Sequence, residues 1–237
     1  QAEKIVYAGL KRLEYRGYDS AGIAVIERNG QIDIRRDVGK LVNLEMMLEE
    51  RPMKGKIGIG HTRWATHGEP SRANAHPHIS MDNRVVVVHN GIVENFMTLK
   101  EDLTMEGVKF SSETDTEVIV QLVERHLGTG VSLLSAVQQT LQLLRGANAV
   151  VVMSKDHPDE LVCARLGNAG GITLGIGQNE MFIASDIPAI LEHTREMVFL
   201  ENRQMARVTP EGYSVFDLDG NSKKPEIHNI AWDPVSA

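Results

Sequence analysis

Residues 21–34 read Ala-Gly-Ile-Ala-Val-Ile-Glu-Arg-Asn-Gly-Gln-Ile-Asp-Ile, two short apolar-rich runs on either side of Asn29-Gly30. That dipeptide accepts the positive φ angles of a tight I′ turn, so the stretch predicts a β-hairpin and, with it, antiparallel sheet. Upstream, Val6, Leu10 and Leu13 are spaced to stack on one helical face, and downstream Leu41 to Leu48 returns to the helical period. Lys56 to Thr62 and Arg84 to His89 read as strands, the second Val-rich and buried, with a polar excursion of about twenty residues between them; loops of that length usually carry function. Helices are expected over roughly Glu94 to Met105, Thr114 to Leu127 and Leu133 to Leu144, the second opened by a Thr114/Glu117 capping box. From Ala147 onward short strands return, punctuated by turns such as Asp219-Gly220 and by a brief helix near Pro188 to Glu192. Strand pairs, then helices, then more strand pairs, without regular alternation, place the chain in the α+β class rather than among doubly wound folds. With no internal repeat or interior linker, residues 1–224 form one domain and residues 225–237, with Pro225 and Pro234, an exit linker.

Composition narrows the function classes. The 237 residues are 42% hydrophobic with 21 glycines, ordinary for a folded globular chain. Lys and Arg number 25 against 32 Asp and Glu, a net charge of -7, so no overall positive field gathers nucleic acid or an acidic membrane. The single cysteine, Cys163, closes no intramolecular disulfide and cannot supply the thiolate set of a zinc or iron–sulfur site, which fits a reducing, cytoplasmic setting. Apolar runs such as Val85 to Val88 fall far short of a membrane span. The chain opens Gln-Ala-Glu-Lys, without a signal peptide's basic and apolar regions, and reads as cut from something longer.

The chemistry-bearing residues concentrate on the polar excursion, in His61-Thr62-Arg63-Trp64-Ala65-Thr66-His67-Gly68-Glu69-Pro70 and Asn74-Ala75-His76-Pro77-His78. A metal site is the weaker reading, because neither the His61/His67 nor the His76/His78 spacing matches a common zinc arrangement. Hydrogen-bonded loop histidines are the plainer one. Arg63 offers a rigid fork for a carboxylate, with Thr66 and His67 beside it as neutral donors. His89-Asn90-Gly91 ends a strand and reads either as a turn or as an oxyanion site made of the Asn90 amide and the Gly91 N–H. Asp115 either answers a helix dipole or binds an ammonium group, in which case Arg63 and Asp115 clamp the two ends of a free amino acid. Gly170, Gly171, Gly175 and Gly177 fit no dinucleotide or P-loop pattern, and Cys163 alternates within a strand as a small buried hydrophobe would.

Arg12-Leu-Glu-Tyr-Arg-Gly-Tyr-Asp-Ser-Ala-Gly22, the His61 to Pro70 string, His89-Asn90-Gly91 with Glu94-Asn95, and Ser112-Glu-Thr-Asp-Thr-Glu117 together resemble the glutaminase domain of the glutamine–fructose-6-phosphate aminotransferases, over nearly the whole chain. The resemblance implies an N-terminal-nucleophile hydrolase fold, a four-layer αββα sandwich of two antiparallel sheets. It implies that Arg63, Thr66, His67 and Asp115 hold the substrate glutamine, that His76 and Arg16 support the site, that Asn90 and Gly91 form the oxyanion hole, and that Trp64 gates ammonia towards a second domain. It further implies a nucleophilic cysteine at the head of a first strand upstream of Gln1, so the present residues alone are expected to be inactive. A sugar isomerase domain is expected beyond Ala237 and homo-oligomerisation through it, with no metal or organic cofactor for the glutaminase half. Two rivals stand beside this reading: a glutamine-binding regulatory module without turnover, and a His-rich metallohydrolase.

Overall fold

The computed structural model describes residues 2–17, 19–64 and 68–231, with Arg16 placed by its backbone only. In chain order the elements are α1 (Ala2–Arg12), β1 (Ser20–Glu27), β2 (Ile32–Val38), α2 (Leu41–Glu50), β3 (Gly55–Arg63), β4 (His78–Ile79), β5 (Val85–Gly91), α3 (Phe96–Met105), α4 (Thr116–Leu127) and α5 (Leu133–Leu143). There follow β6 (Asn148–Ser154), β7 (His157–Leu166), β8 (Thr173–Ile176), β9 (Met181–Ala184), β10 (Glu196–Phe199), β11 (Gln204–Thr209), β12 (Gly212–Asp217), β13 (Ser222–Lys223) and β14 (His228–Asn229). The brief helix near Pro188 is a 3-10 turn, Ile187–Ala189.

Among the described residues all strand pairs are antiparallel, in a large sheet ordered β13-β12-β11-β7-β6-β5-β4 and two smaller ones, β2-β1-β3 and β14-β10-β8-β9. Period-two alternation in the central strands builds the layers. Val85, Val87, Val150, Val152, Val162 and Ala164 pack against α3, α4 and α5. Their alternates face the smaller sheets: Val86, Val88 and Met153 meet Ala24, Ile26 and Ile59, while Ala149, Cys163 and Ala206 meet Leu174 and Val198. On the far side of β1, Ile23 and Val25 pack under α1 and α2 through Leu10, Leu41, Leu44 and Leu48. The result is helices, sheet, sheet, helices, the four-layer sandwich that the resemblance implies. Among the described residues no helix is long and apolar enough to cross a membrane.

Three expectations need correction or refinement. In the hairpin loop Gly30 alone is left-handed (φ 79°), and Glu27 N–H bonds to the Gln31 carbonyl at 2.8 Å. The connection is therefore the longer kind with glycine in the left-handed position, because Asn29 uses its side chain to accept the Gln31 N–H instead of adopting positive φ itself. The Thr114/Glu117 capping box is absent: α4 starts two residues after Thr114, whose hydroxyl bonds to Ser112 and His78, and Glu117 accepts from Ser111 and Ser112. Finally, the segment read as a linker from Pro225 still supplies β14, which pairs with β10, and Ile230 N–H bonds to the Arg195 carbonyl, so the chain stays on the sheet as far as Ile230.

Candidate active site

β3 and β5 lie in different sheets, yet their C-terminal ends meet. The same alternation that layers the core aims their last residues. His61 and Arg63 share one face of β3, where Gly22, opposite His61 on β1, leaves room for the His76 carbonyl; a Cβ at Gly22 would lie 2.2 Å from that oxygen. On β5, His89 continues the face of Val85 and Val87 and reaches towards α4, bonding to Thr116 Oγ1 and Asn148 Oδ1 at 2.9 Å each. Asn90 continues the face of Val86 and Val88 and reaches His61, with Nε2 to Oδ1 at 2.8 Å. Gly91 has φ 128°, and a Cβ there would sit 2.1 Å from the Ala147 carbonyl oxygen, so only glycine fits.

Between these strand ends, the Asn74–His78 loop and the entry to α4 lies a pocket lined by His61, Arg63, Trp64, His76, His89, Asn90, Gly91 and Asp115, with Thr62, Thr114 and Thr116 completing its wall. The structure thus brings together six of the residues singled out from the sequence: Arg63, Trp64, His76, Asn90, Gly91 and Asp115. Thr66 and His67 lie outside the described residues, and Arg16 is placed only as the end of a 3-10 turn, Glu14–Arg16. Arg63 is buried, with Nη2 donating to the Gly68 carbonyl at 3.1 Å, and Trp64 is exposed at the rim. Asp115 stands just before α4, and its Oδ2 accepts the Val93 N–H at 2.7 Å. Cys163 is fully buried in the inner core and away from the pocket lining; burial pushes its thiol up to about 12.

Three histidines, His61, His76 and His89, line the pocket, and a fourth, His78, lies behind His76. His61 stacks on His76 with centroids 4.2 Å apart, and His76 meets the edge of His78 at 4.8 Å. Desolvation lowers all four: His61 to about 4, His78 to about 3, His76 well below its ordinary value, and His89 downward against the nearby Asp115 charge that raises it. They are neutral at pH 7, so among the described residues Arg63 and Asp115 are the charges that line the pocket. The proton position of His78 follows from its partners. Ser112 Oγ donates to the Glu117 carboxylate (2.5 Å), Thr114 Oγ1 donates to Ser112 Oγ (3.0 Å), and His78 Nε2–H donates to Thr114 Oγ1 (3.1 Å). Sequence reasoning gave Thr116, Glu117 and Asn148 no place in the site and took His61 only as one of the loop histidines, although its two-residue spacing from Arg63 on a strand puts both on one face. Among the described residues no group of three or more His, Cys, Asp or Glu side chains is arranged to hold a metal.

The family described as "Glutamine amidotransferase domain" matches residues 49–218. The chain belongs to that family. Among curated relatives, the domain is 46% identical over its whole length to the glutamine–fructose-6-phosphate aminotransferase (isomerizing) of Clostridium perfringens and 48% identical over 232 residues to that of Escherichia coli K12. It spans 38% and 37% of those two proteins. Among solved structures it resembles a glutamine phosphoribosylpyrophosphate amidotransferase from B. subtilis, with TM-score 0.79 and 27% identity over 94% of this domain and 48% of that chain.

Proposed function

We propose that the pocket binds L-glutamine and, in a longer parent protein, hydrolyses its side-chain amide to glutamate and ammonia. The observation that carries this reading is the convergence of Arg63, Asp115, Asn90 and Gly91 on one cavity. Arg63 takes the α-carboxylate bidentately and Asp115 the α-ammonium, which leaves the distal carboxamide towards Asn90 and Gly91. The thiolate of a terminal cysteine preceding Gln1 attacks the amide carbon, and Asn90 Nδ2–H with the Gly91 N–H stabilises the oxyanion. The α-amine of that cysteine, having taken the thiol proton, returns it to the departing nitrogen. Ammonia leaves, and water cleaves the thioester to glutamate and free thiol. Thr66, His67, His76 and Arg16 complete or brace the glutamine site, and Trp64 closes its rim.

The first strand that would carry this cysteine has edges to join. Among the described residues β3 pairs only with β1, and β9 only with β8, while α1 packs on β3 and on the 3-10 turn that follows β9. The relatives' names suggest fructose-6-phosphate as acceptor of the ammonia, in a domain beyond Ala237.

Calorimetric titration of this chain with L-glutamine tests the clamp without needing the nucleophile. Saturable binding is expected, weakened about tenfold or more by Arg63→Lys, where a point charge replaces a fork. Binding that ignores Arg63→Lys removes the clamp.

A further inference from the structure

Asn90 can serve an oxyanion only if its amide nitrogen, and not its oxygen, faces the cleft. We propose that His61 enforces this: as a positioning residue it donates Nε2–H to Asn90 Oδ1 and so turns the Asn90 NH2 into the pocket. The inference rests on the oxyanion reading of Asn90 above. Its geometry is independent of any ligand. The His61 Nε2 to Asn90 Oδ1 contact is 2.8 Å and joins β3 to β5, strands of different sheets.

The direction of that bond follows from the other ring nitrogen. His61 Nδ1 is buried and has no hydrogen-bond partner among the described residues. If the proton were on Nδ1, the protein would bury an orphaned N–H, whereas a bare lone pair there is the milder defect. The proton therefore sits on Nε2, Asn90 must present an acceptor to it, and the amide nitrogen is left on the opposite side. Desolvation by burial, which lowers the pKa of His61, keeps the ring in this neutral form at pH 7. Rotation of the ring is opposed by the His76 ring stacked on it at 22°, which is itself held edge-on by His78. The buried imidazoles thus form a brace whose last member touches the proposed oxyanion donor.

The test uses glutaminase kinetics of the full-length protein with four variants. Asn90→Ala should lower kcat about 100-fold or more. His61→Phe, which keeps the stack but has no donor, should lower kcat about tenfold or more with KM changed less than about threefold, because only the developing oxyanion feels the amide orientation. His61→Gln, whose amide nitrogen reaches the Nε2 position, should recover most of that loss. The double variant His61→Phe/Asn90→Ala should be no slower than Asn90→Ala alone. Should His61→Phe fail to fold by thermal unfolding, His61→Asn, too short to reach Asn90, replaces it with the same expectation. A slow Asn90→Ala beside a His61→Phe at wild-type kcat overturns the His61 role and leaves the oxyanion reading standing. Multiplying losses in the double variant, or a His61→Gln as slow as His61→Phe, overturn it as well. An Asn90→Ala at wild-type kcat overturns the oxyanion reading and the His61 role together.

Discussion

The two halves of β5 obey different rules on one backbone. From Val85 to Val88 each side chain is apolar and either face suffices, because both sheet faces are covered and burial is non-directional. From His89 to Gly91 the same alternation continues, but each residue depends on a specific partner: Thr116 and Asn148 for His89, His61 for Asn90, and the close Ala147 carbonyl for Gly91. Burial fixes where the strand lies; directional bonds fix what its end presents. Substitution should therefore behave differently in the two halves, and the contrast can be broken by experiment.

The largest effect is expected from adding one methyl group in the polar half. Gly91→Ala combines a φ of 128° with a Cβ 2.1 Å from the Ala147 oxygen, and strain and overpacking together should cost about 4 kcal/mol, read as a lower midpoint in urea unfolding of this chain. A stable Gly91→Ala protein would mean that the strand end is not held as described. Next comes the carboxylate that holds the turn before α4. Glu117 is buried and accepts two backbone N–H groups and two hydroxyls from Ser111 and Ser112. Glu117→Gln sets an NH2 against one pair of donors and should cost about 3 kcal/mol. It should also loosen His78 through Thr114, visible as faster hydrogen exchange across residues 76–78.

Legibility in the sequence divides along the same line. The apolar period announced β1, β3, β5 and the three central helices nearly to the residue, since covering faces requires only the right hydrophobic spacing. It failed where a polar side chain chose among several local partners. Glu117 fits a capping box at its spacing from Thr114, yet its carboxylate turns back to Ser111 and Ser112. Asp115 fits a first-turn acid, yet it crosses to Val93. The site residues Arg63, Asn90 and Asp115 were legible as types of chemistry. Their meeting in one pocket was not, because it depends on β3 and β5 ending together in different sheets.

In the apolar half the expected effect is smaller and without functional sign. Val87→Ala deletes two carbons from the cluster beneath α4 and should cost about 2 kcal/mol of stability, including its cavity. Glutaminase kcat of the full-length protein should stay at the wild-type value, since Val87 packs in the helix-facing cluster and does not line the pocket. A fall in kcat comparable to that of an Asn90 variant would erase the distinction between the halves.

The smallest step is electrostatic and belongs to the histidine cluster beside the polar half. His78 is buried against Arg36, Arg63, His61 and His89, and its pKa falls to about 3, with desolvation the main cause. An unfolded histidine titrates near 6.5, so between that value and the folded one the unfolded chain binds the extra proton. Stability is then fully present above pH ~6.5 and is lost as pH falls through the window towards about 3. From pH 7 to pH 6 each such imidazole should remove ~0.7 kcal/mol. His78→Gln, which can still donate to Thr114, should flatten the pH dependence of the urea midpoint by one such increment while Val87→Ala leaves the slope unchanged. An unaltered slope in His78→Gln would mean that His78 is accessible to protons in the folded state, and the neutral state assigned to the histidine cluster would have to be given up.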